Sequence, residues 1–360
     1  MKKPIFKFDF NKLIKQGYYS AIYFKKTKKI IDQFIDDSQI ATLQFTFFNN
    51  KDVKVCGISE SVQLLKAMIS KEDFKKIKIY GVNDGDIVNS STPILVIQGP
   101  YKLFAIYENL IDGILARRTS VCNNCYKLLK ALKQNEVLYM ADRTDDYIVQ
   151  PYDGYAAYVG GIRNFVTEAS VKYLKQFNDI TVSGTVPHAL IQQFNGNLSQ
   201  ALKAYHKTFP QDKLVALIDY NNDVENEIIN LKKSGIKNLD FIRIDTSANL
   251  VDFSIQRRYK NWKNNKNLYG VNPTLVNIVR KTLDKCGFNK TKIIISSGLD
   301  TQKVKAFIKN HSPVDLYGIG SSLITRNIHY CADLVMINKH HEAKYGRKLF
   351  IPINKLKKLN

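Results

Sequence analysis

The chain has 360 residues, enough for one large α/β barrel or for two domains with sizeable cores. Hydrophobic residues make up 44% and aromatics 11%, with no low-complexity tract, which excludes a disordered or fibrous protein. The formal charge is +22, but the lysines run along the whole chain instead of gathering in a block, and no nucleic-acid-binding module appears. That distribution argues against a nucleic-acid partner and leaves anionic small molecules as ligands the charge would suit.

No apolar run approaches the roughly 20 residues needed to cross a bilayer. Met1–Phe10 alternates Lys and Phe without the apolar core of a signal peptide. A cytoplasmic protein without a membrane partner is expected. Five cysteines stand at positions 56, 122, 125, 286 and 331, an odd and scattered set that argues against a disulfide framework. Cys122-x-x-Cys125 has metal-like spacing, yet no second Cys/His pair lies at zinc-finger distance and its surroundings read as helix. No bound metal is expected there.

In chain order, residues 1–36 read as amphipathic helix, with Leu13, Tyr18, Ile22, Tyr23 and Phe34 as a buried stripe. Ile40–Phe48 alternates like a strand, and Glu60–Ser70 reads as helix. Between Ile77 and Gln98, short strands are punctuated by Asn83-Asp84-Gly85-Asp86 and Ser91-Thr92-Pro93, both turn signals. A long helical stretch follows from about Leu103 to Leu132. Residues 1–119 are therefore expected to form an α+β domain.

From Glu136 the pattern becomes regular. Strand-like runs at Val137–Met140, Ile180–Val182, Leu214–Ile218, Phe241–Ile244, Lys292–Ile295 and Val314–Tyr317 alternate with helix-length segments. Those segments are Tyr155–Phe177, Pro187–Thr208, Val224–Lys233, Thr274–Cys286 and Thr301–Asn310. The alternation predicts a parallel α/β arrangement over residues 120–330. Two more strand-like runs, Leu334–Ile337 and Lys348–Ile353, flank a polar turn and are expected to return residues 331–360 to the N-terminal domain.

Polar, charged or glycine-rich groups follow every one of these six strands: Asp142-Arg143, Ser183-Gly184-Thr185, Asp219, Arg243 with Asp245, Ser296-Ser297-Gly298 and Gly318-Ile319-Gly320. In a β/α barrel these ends share one face, the face that carries active sites. Pro187 takes a first helical position and puts His188 in the first turn of a helix, near free N–H groups suited to phosphate. The small loops at 296–298 and 318–320 allow close backbone approach to phosphate oxygens. Arg143 and Arg243 bring forks for carboxylate or phosphate, and Asp219 and Asp245 bring carboxylates that could position His188, a ribose hydroxyl or Mg²⁺. Such a face suits a phosphorylated, multiply anionic ligand.

On these residues the chain resembles nicotinate phosphoribosyltransferase, a type II phosphoribosyltransferase with an irregular β/α (TIM-like) barrel. The resemblance runs from Tyr18 to about Arg347. Ser-Gly-Thr-Val-Pro-His (183–188) is similar to the family's Gly-Thr-x-x-His loop, and Leu-Ile-Asp-Tyr-Asn-Asn-Asp (217–223) to its Val-Asp-Thr-Phe-x-Asp segment. Arg-Ile-Asp-Thr (243–246), Ile-Ser-Ser-Gly-Leu-Asp (295–300) and Tyr-Gly-Ile-Gly-Ser (317–321) follow in the family's order, and the upstream segment ending at Glu108 resembles its N-terminal domain.

The resemblance implies transfer of phosphoribosyl from phosphoribosyl pyrophosphate to nicotinate, in NAD biosynthesis, coupled to ATP hydrolysis and assisted by Mg²⁺. It implies that His188 becomes phosphorylated, with Asp219 and Asp245 as further catalytic residues. Substrate would be held by Tyr23, Arg143, Thr185, Arg243, Thr246, Ser297, Gly298, Gly318, Gly320 and Ser321. Tyr23 would stack on the pyridine ring at a neighbouring subunit's site, which implies a homodimer. The chain departs from the family at Ser20-Ala21, Thr144, Tyr220 and Ser247-Ala248-Asn249. Sister enzymes using nicotinamide or quinolinate, and a non-catalytic RNA-binding barrel, are the alternatives.

Overall fold

A computed structural model of the chain describes residues 5–9, 11–48 and 51–360. Seven strands form a parallel sheet: Val137–Tyr139, Asn164–Phe165, Thr181–Val182, Val215–Leu217, Phe241–Ile244, Lys292–Ile295 and Leu316–Ile319, here first to seventh. Their spatial order is third, second, first, seventh, sixth, fifth, fourth. The first and seventh strands pair through Tyr317–Val137 to Ile319–Tyr139, whereas the third and fourth do not pair. The result is a β/α barrel with one open seam.

The helices between these strands start where short polar side chains can cap free N–H groups. Asn197, Asp223, Asn272 and Asp300 each accept a bond from the backbone N–H three residues on, opening the helices Leu198–Thr208, Val224–Lys233, Pro273–Lys285 and Thr301–Lys309. Each helix buries one apolar stripe against the strands. Leu275, Val276, Val279 and Leu283 on one helix meet Ile293 and Ile295 in the barrel core.

Three parts of the barrel differ from the sequence expectation. The second strand, Asn164–Phe165, falls within the segment read as helix; that helix runs Gln150–Gly160 and stops at Gly161, whose φ of 115° ends it. The segment 187–208 is not one helix but two, His188–Gln193 and Leu198–Thr208, separated by Asn195 and Gly196, both at positive φ. The seventh strand begins at Leu316 and includes Gly318 and Ile319, so Gly318 is a strand residue and not part of the loop beyond it.

The second sheet has six strands in the order His340–His341, Tyr330–Ile337, Ala41–Phe47, Leu95–Gly99, Lys78–Gly81, Lys357–Lys358. Ala41–Phe47 pairs along its whole length with Tyr330–Ile337, so strands from both ends of the chain share this sheet. Its inner face, with Leu43, Phe45 and Phe47, packs on the helices Ile58–Met68 and Glu108–Leu128. The run Lys348–Ile353 is not a strand. There the chain crosses the sheet: Gln44 Nε2 donates to the Lys348 carbonyl and Arg347 pairs with Asp333.

The N-terminal stripe is also corrected, although residues 1–4 and 10 of that stretch lie outside the described residues. Helix Ile22–Phe34 buries Phe24, while Tyr18, Ile22, Tyr23 and Phe34 are each more than 60% exposed. The helix rests against the turns at 101–107 by one narrow face and leaves the rest to solvent. Cys122 and Cys125 lie fully buried in helix Glu108–Leu128, against Gly160, with free thiols. Among the described residues, no helix is long and apolar enough to cross a membrane.

Candidate active site

The C-terminal ends of the first, fourth, fifth, sixth and seventh strands surround a cavity of about 780 Å³. Of the sequence-predicted residues, His188, Arg143, Arg243, Asp245, Ser297, Gly298, Gly318, Gly320 and Ser321 line it. A slightly larger cleft of about 870 Å³ lies on the N-terminal domain, but no carboxylate or imidazole side chain lines it. The titratable side chains that could do chemistry converge in the barrel.

Parallel pairing sets Arg243 in the fifth strand beside Leu217 and Ile294 and directs its side chain to the mouth. All three nitrogens of its guanidinium are engaged. It donates to Ser296 Oγ (2.9 Å), Thr185 Oγ1 (2.9 Å) and Asp245 Oδ2 (2.9 Å), while Ser296 Oγ donates to Asp245 Oδ1 at 2.6 Å. This closed, charge-neutral network holds Arg243 and Asp245 rigidly. Arg143 differs: it is exposed, lines the same cavity, and forms no ion pair among the described residues.

His188 opens the six-residue helix that follows Pro187, which sits just before it as the cap and not as the first helical residue. Its Nε2 lies 3.3 Å from Asp219 Oδ1, with the imidazole side chain 40% exposed and the carboxylate 5% exposed. Burial pushes the Asp219 carboxyl above the ordinary range; His188 opposes the shift and Asp245 adds to it. The Tyr220 ring stands 6.3 Å from the imidazole, and its edge lies so close to Gly196 that a Cβ there would come within 3.2 Å. Asp219 orients the imidazole from behind and leaves its open side to the cavity.

The loops after the sixth and seventh strands form the opposite wall. Ser297 and Gly298 both take positive φ (79° and 60°), so the chain turns sharply at the rim. Ser322 Oγ donates to the Leu299 carbonyl and joins the two loops. Gly320 is required by close approach, since a Cβ there would come 2.4 Å from the Met140 carbonyl oxygen, whereas at Gly318 it would meet a side chain, Met140 Sδ, at 2.4 Å.

Four predicted residues stand outside this lining. Asp219 backs His188, and Thr185 lines an adjoining barrel cavity of about 530 Å³ while bonding Arg243. Thr246 is buried, with a hydroxyl that has no partner among the described residues. Tyr23 is on the exposed N-terminal helix, its ring 4.3 Å from that of Phe24, and does not line the barrel cavity of its own chain. Met140, Asp142, Ser296 and Leu299 also line the cavity. Ser296 directly follows its strand and Asp142 stands three residues past the end of the first, so both belong to the strand-end groups visible in the sequence, although neither was assigned a role; Met140 carried no sequence signal.

Comparison with known proteins agrees with this architecture. Residues 21–119 match the family model described as the N-terminal domain of quinolinate phosphoribosyl transferase. A curated nicotinate phosphoribosyltransferase of Bacillus subtilis (strain 168) is 26% identical over 252 residues, 68% of this chain and 45% of that protein. The chain thus spans about half the length of the curated relatives it matches. Nicotinate-nucleotide pyrophosphorylase of Pyrococcus furiosus shares the fold with a TM-score of 0.77 at 24% identity, over 97% of this chain and 82% of that one. Human nicotinic acid phosphoribosyltransferase aligns with a TM-score of 0.66 at 13% identity, over 91% and 77% of the two chains. In its N-terminal domain, its curated relatives and its barrel fold, the chain is similar to type II phosphoribosyltransferases.

Proposed function

We propose that the chain transfers phosphoribosyl from phosphoribosyl pyrophosphate to nicotinate, giving nicotinate mononucleotide and pyrophosphate, in NAD biosynthesis. One observation carries the choice of base: of the two arginines in the barrel cavity, Arg243 is neutralised by Asp245 and Arg143 is not. A single unpaired guanidinium suits a base with one carboxylate. Nicotinamide would leave it unpaired, at a cost of about 1–3 kcal/mol. The loop at 297–299 and the end of the seventh strand with the turn beyond it, 318–321, would take the 5′-phosphate.

In the reaction the anomeric carbon–oxygen bond to pyrophosphate breaks and a bond to the pyridine nitrogen forms, with positive charge building on the ribose between. Asp219 supplies negative charge near that region and Arg143 offsets an anionic end of the substrates, while the paired Arg243 and Asp245 hold the polar wall between them in place. His188 would accept the γ-phosphoryl group of ATP on its open side, releasing ADP, and water would later return it as phosphate. Among the described residues no three His, Cys, Asp or Glu side chains form a metal cage. Asp219 and Asp245 are also engaged by His188 and Arg243, so Mg²⁺ would arrive with the pyrophosphate substrate. Exposed Tyr23, with Tyr18, Ile22 and Phe34, would cover the site of a second copy in a homodimer.

Quinolinate is the second reading, favoured by the name of the matched N-terminal domain model. Incubation with phosphoribosyl pyrophosphate, Mg²⁺ and each base in turn, with and without ATP, separates the readings. Nicotinate turnover stimulated by ATP, and a His188→Ala variant that loses the stimulation, are expected. Mononucleotide formed from quinolinate with release of CO₂, and none from nicotinate, would overturn the assignment.

A further inference from the structure

The loop 142–146 carries Arg143 and Thr144 into the cavity, and it is tethered at two points. At its start, Gln150 Nε2 donates to the Asp142 carbonyl at 2.9 Å, and the same side chain accepts from Thr167. Near its end, Asp145 Oδ2 lies 2.6 Å from Arg117 Nη1. Arg117 belongs to helix Glu108–Leu128, which precedes the first barrel strand and packs Val121, Cys122, Cys125 and Leu128 into the barrel core. Its Nε and Nη2 also grip Asp153, a buried carboxylate on helix Gln150–Gly160, at 2.7–3.2 Å. Asp153 in turn binds Arg118 at 2.8 Å, and Arg118 binds Glu60 on helix Ile58–Met68 at 2.8 Å.

We propose that Arg117 is a positioning residue of the barrel site: by bridging Asp153 and Asp145 it fixes the loop 142–146 and thereby the place of the Arg143 guanidinium. This rests on the phosphoribosyltransferase reading given above. The physical case has two parts. Arg143 has no ion pair of its own among the described residues, so its placement depends on how well its loop is held. Asp145 is 41% exposed, so on its own it would be a mobile surface carboxylate; the Arg117 fork, 19% exposed and itself clamped on Asp153, makes it a fixed point. Arg118 and Glu60 extend the same clamp into the N-terminal domain, so the anchor belongs to the packed interior.

The test uses the 360-residue chain in five forms: wild type, Arg117→Ala, Arg117→Lys, Asp145→Asn and the double variant Arg117→Ala with Asp145→Asn. Amide hydrogen exchange of residues 142–146 without substrate reads the tether; KM and kcat with nicotinate read its consequence. In Arg117→Ala, where Asp153 keeps Arg118, the fold survives, loop exchange speeds up and KM for nicotinate rises about tenfold with little change in kcat. Asp145→Asn gives the same pattern, and the double variant is no worse than either single one. Lysine at 117 can reach one carboxylate but not both, and restores part of the loss. Unchanged loop exchange and KM in Arg117→Ala would overturn the proposal. So would a loss of melting temperature and kcat in Arg117→Ala that Asp145→Asn does not share, since that marks a purely structural clamp. A wild-type protein that turns over no pyridine base overturns the functional reading, while the exchange measurement still decides the tether.

Discussion

The two glycines of the seventh strand end allow a sharp test of the site's geometry, with Gly320→Ala as the perturbation and Gly318→Ala as its control. At 320 the new Cβ would lie 2.4 Å from the Met140 carbonyl oxygen and 3.1 Å from its carbonyl carbon, both backbone atoms. Met140 N donates to the Ile319 carbonyl at 2.8 Å, so relief means parting the first and seventh strands where the barrel closes. Overpacking costs about 1–3 kcal/mol, and loss of that hydrogen bond adds about 1 kcal/mol, giving roughly 2–4 kcal/mol. At about 2 °C per kcal/mol for a large domain, the melting temperature should fall by about 4–8 °C. At 318 the Cβ meets Met140 Sδ, part of a thioether side chain that can swing away, and the Ser296 Cβ at 3.2 Å, which need give only slightly, so the loss should be smaller, about 1 kcal/mol. Scanning calorimetry measures both, and a titration with nicotinate mononucleotide should show the 320 variant binding at least about tenfold more weakly. Equal melting temperatures in the two variants would refute the reasoning, because the backbone at Met140 would then be as yielding as its side chain.

Other consequences can be measured. Asp219→Asn keeps the shape behind His188 but removes its charge; with the imidazole 40% exposed, the lower end of a charged hydrogen bond applies, about 1.5 kcal/mol, or a tenfold loss of ATP-stimulated turnover in a steady-state assay. Glu108 and Asp112 are pushed up to about 7 by burial, with Asp333 adding to both shifts, and the Tyr101 hydroxyl partly offsets the rise at Glu108. Their folded values lie above their unfolded ones, so the folded chain holds extra protons and its stability falls as pH rises from about 4.5 to 7. Glu108→Gln combined with Asp112→Asn should therefore gain over wild type in urea melts as pH climbs from 5 to 8. The gain is at most about 1.4 kcal/mol for each tenfold rise in a group's proton affinity on folding. A gap that is constant across that range would contradict the burial argument.

Much of the architecture can be read from local sequence because local rules govern it. Val224–Lys233 is legible to the residue, since Asp223 caps it and its apolar spacing has one period. The strand Lys292–Ile295 is equally plain, a β-branched run before a small polar turn. Asn164–Phe165 is not legible: two residues carry no periodicity, and only pairing with Leu138, Tyr139, Thr181 and Val182 makes them a strand. The exposed stripe of Ile22, Tyr23 and Phe34 misleads for a related reason. Amphipathic spacing says that a helix has an apolar face, not that its own chain covers it.

The order of elements, the capping of the barrel helices and the collection of polar residues at the strand ends all depend on neighbours a few positions apart, and the residue order alone settles them. It also places His188 beside the barrel mouth. How the charges divide is a matter of the folded chain. Arg143 and Arg243 each stand at or near a strand end within two residues of an aspartate, yet Arg243 is enclosed by Asp245, Ser296 and Thr185 while Arg143 faces the cavity unpaired among the described residues. The partners Thr185 and Ser296 lie 58 and 53 residues from Arg243 along the chain, and Arg117 reaches 36 residues to Asp153. Contacts at such separations follow from the path of the backbone around the barrel, which no short window of residues contains.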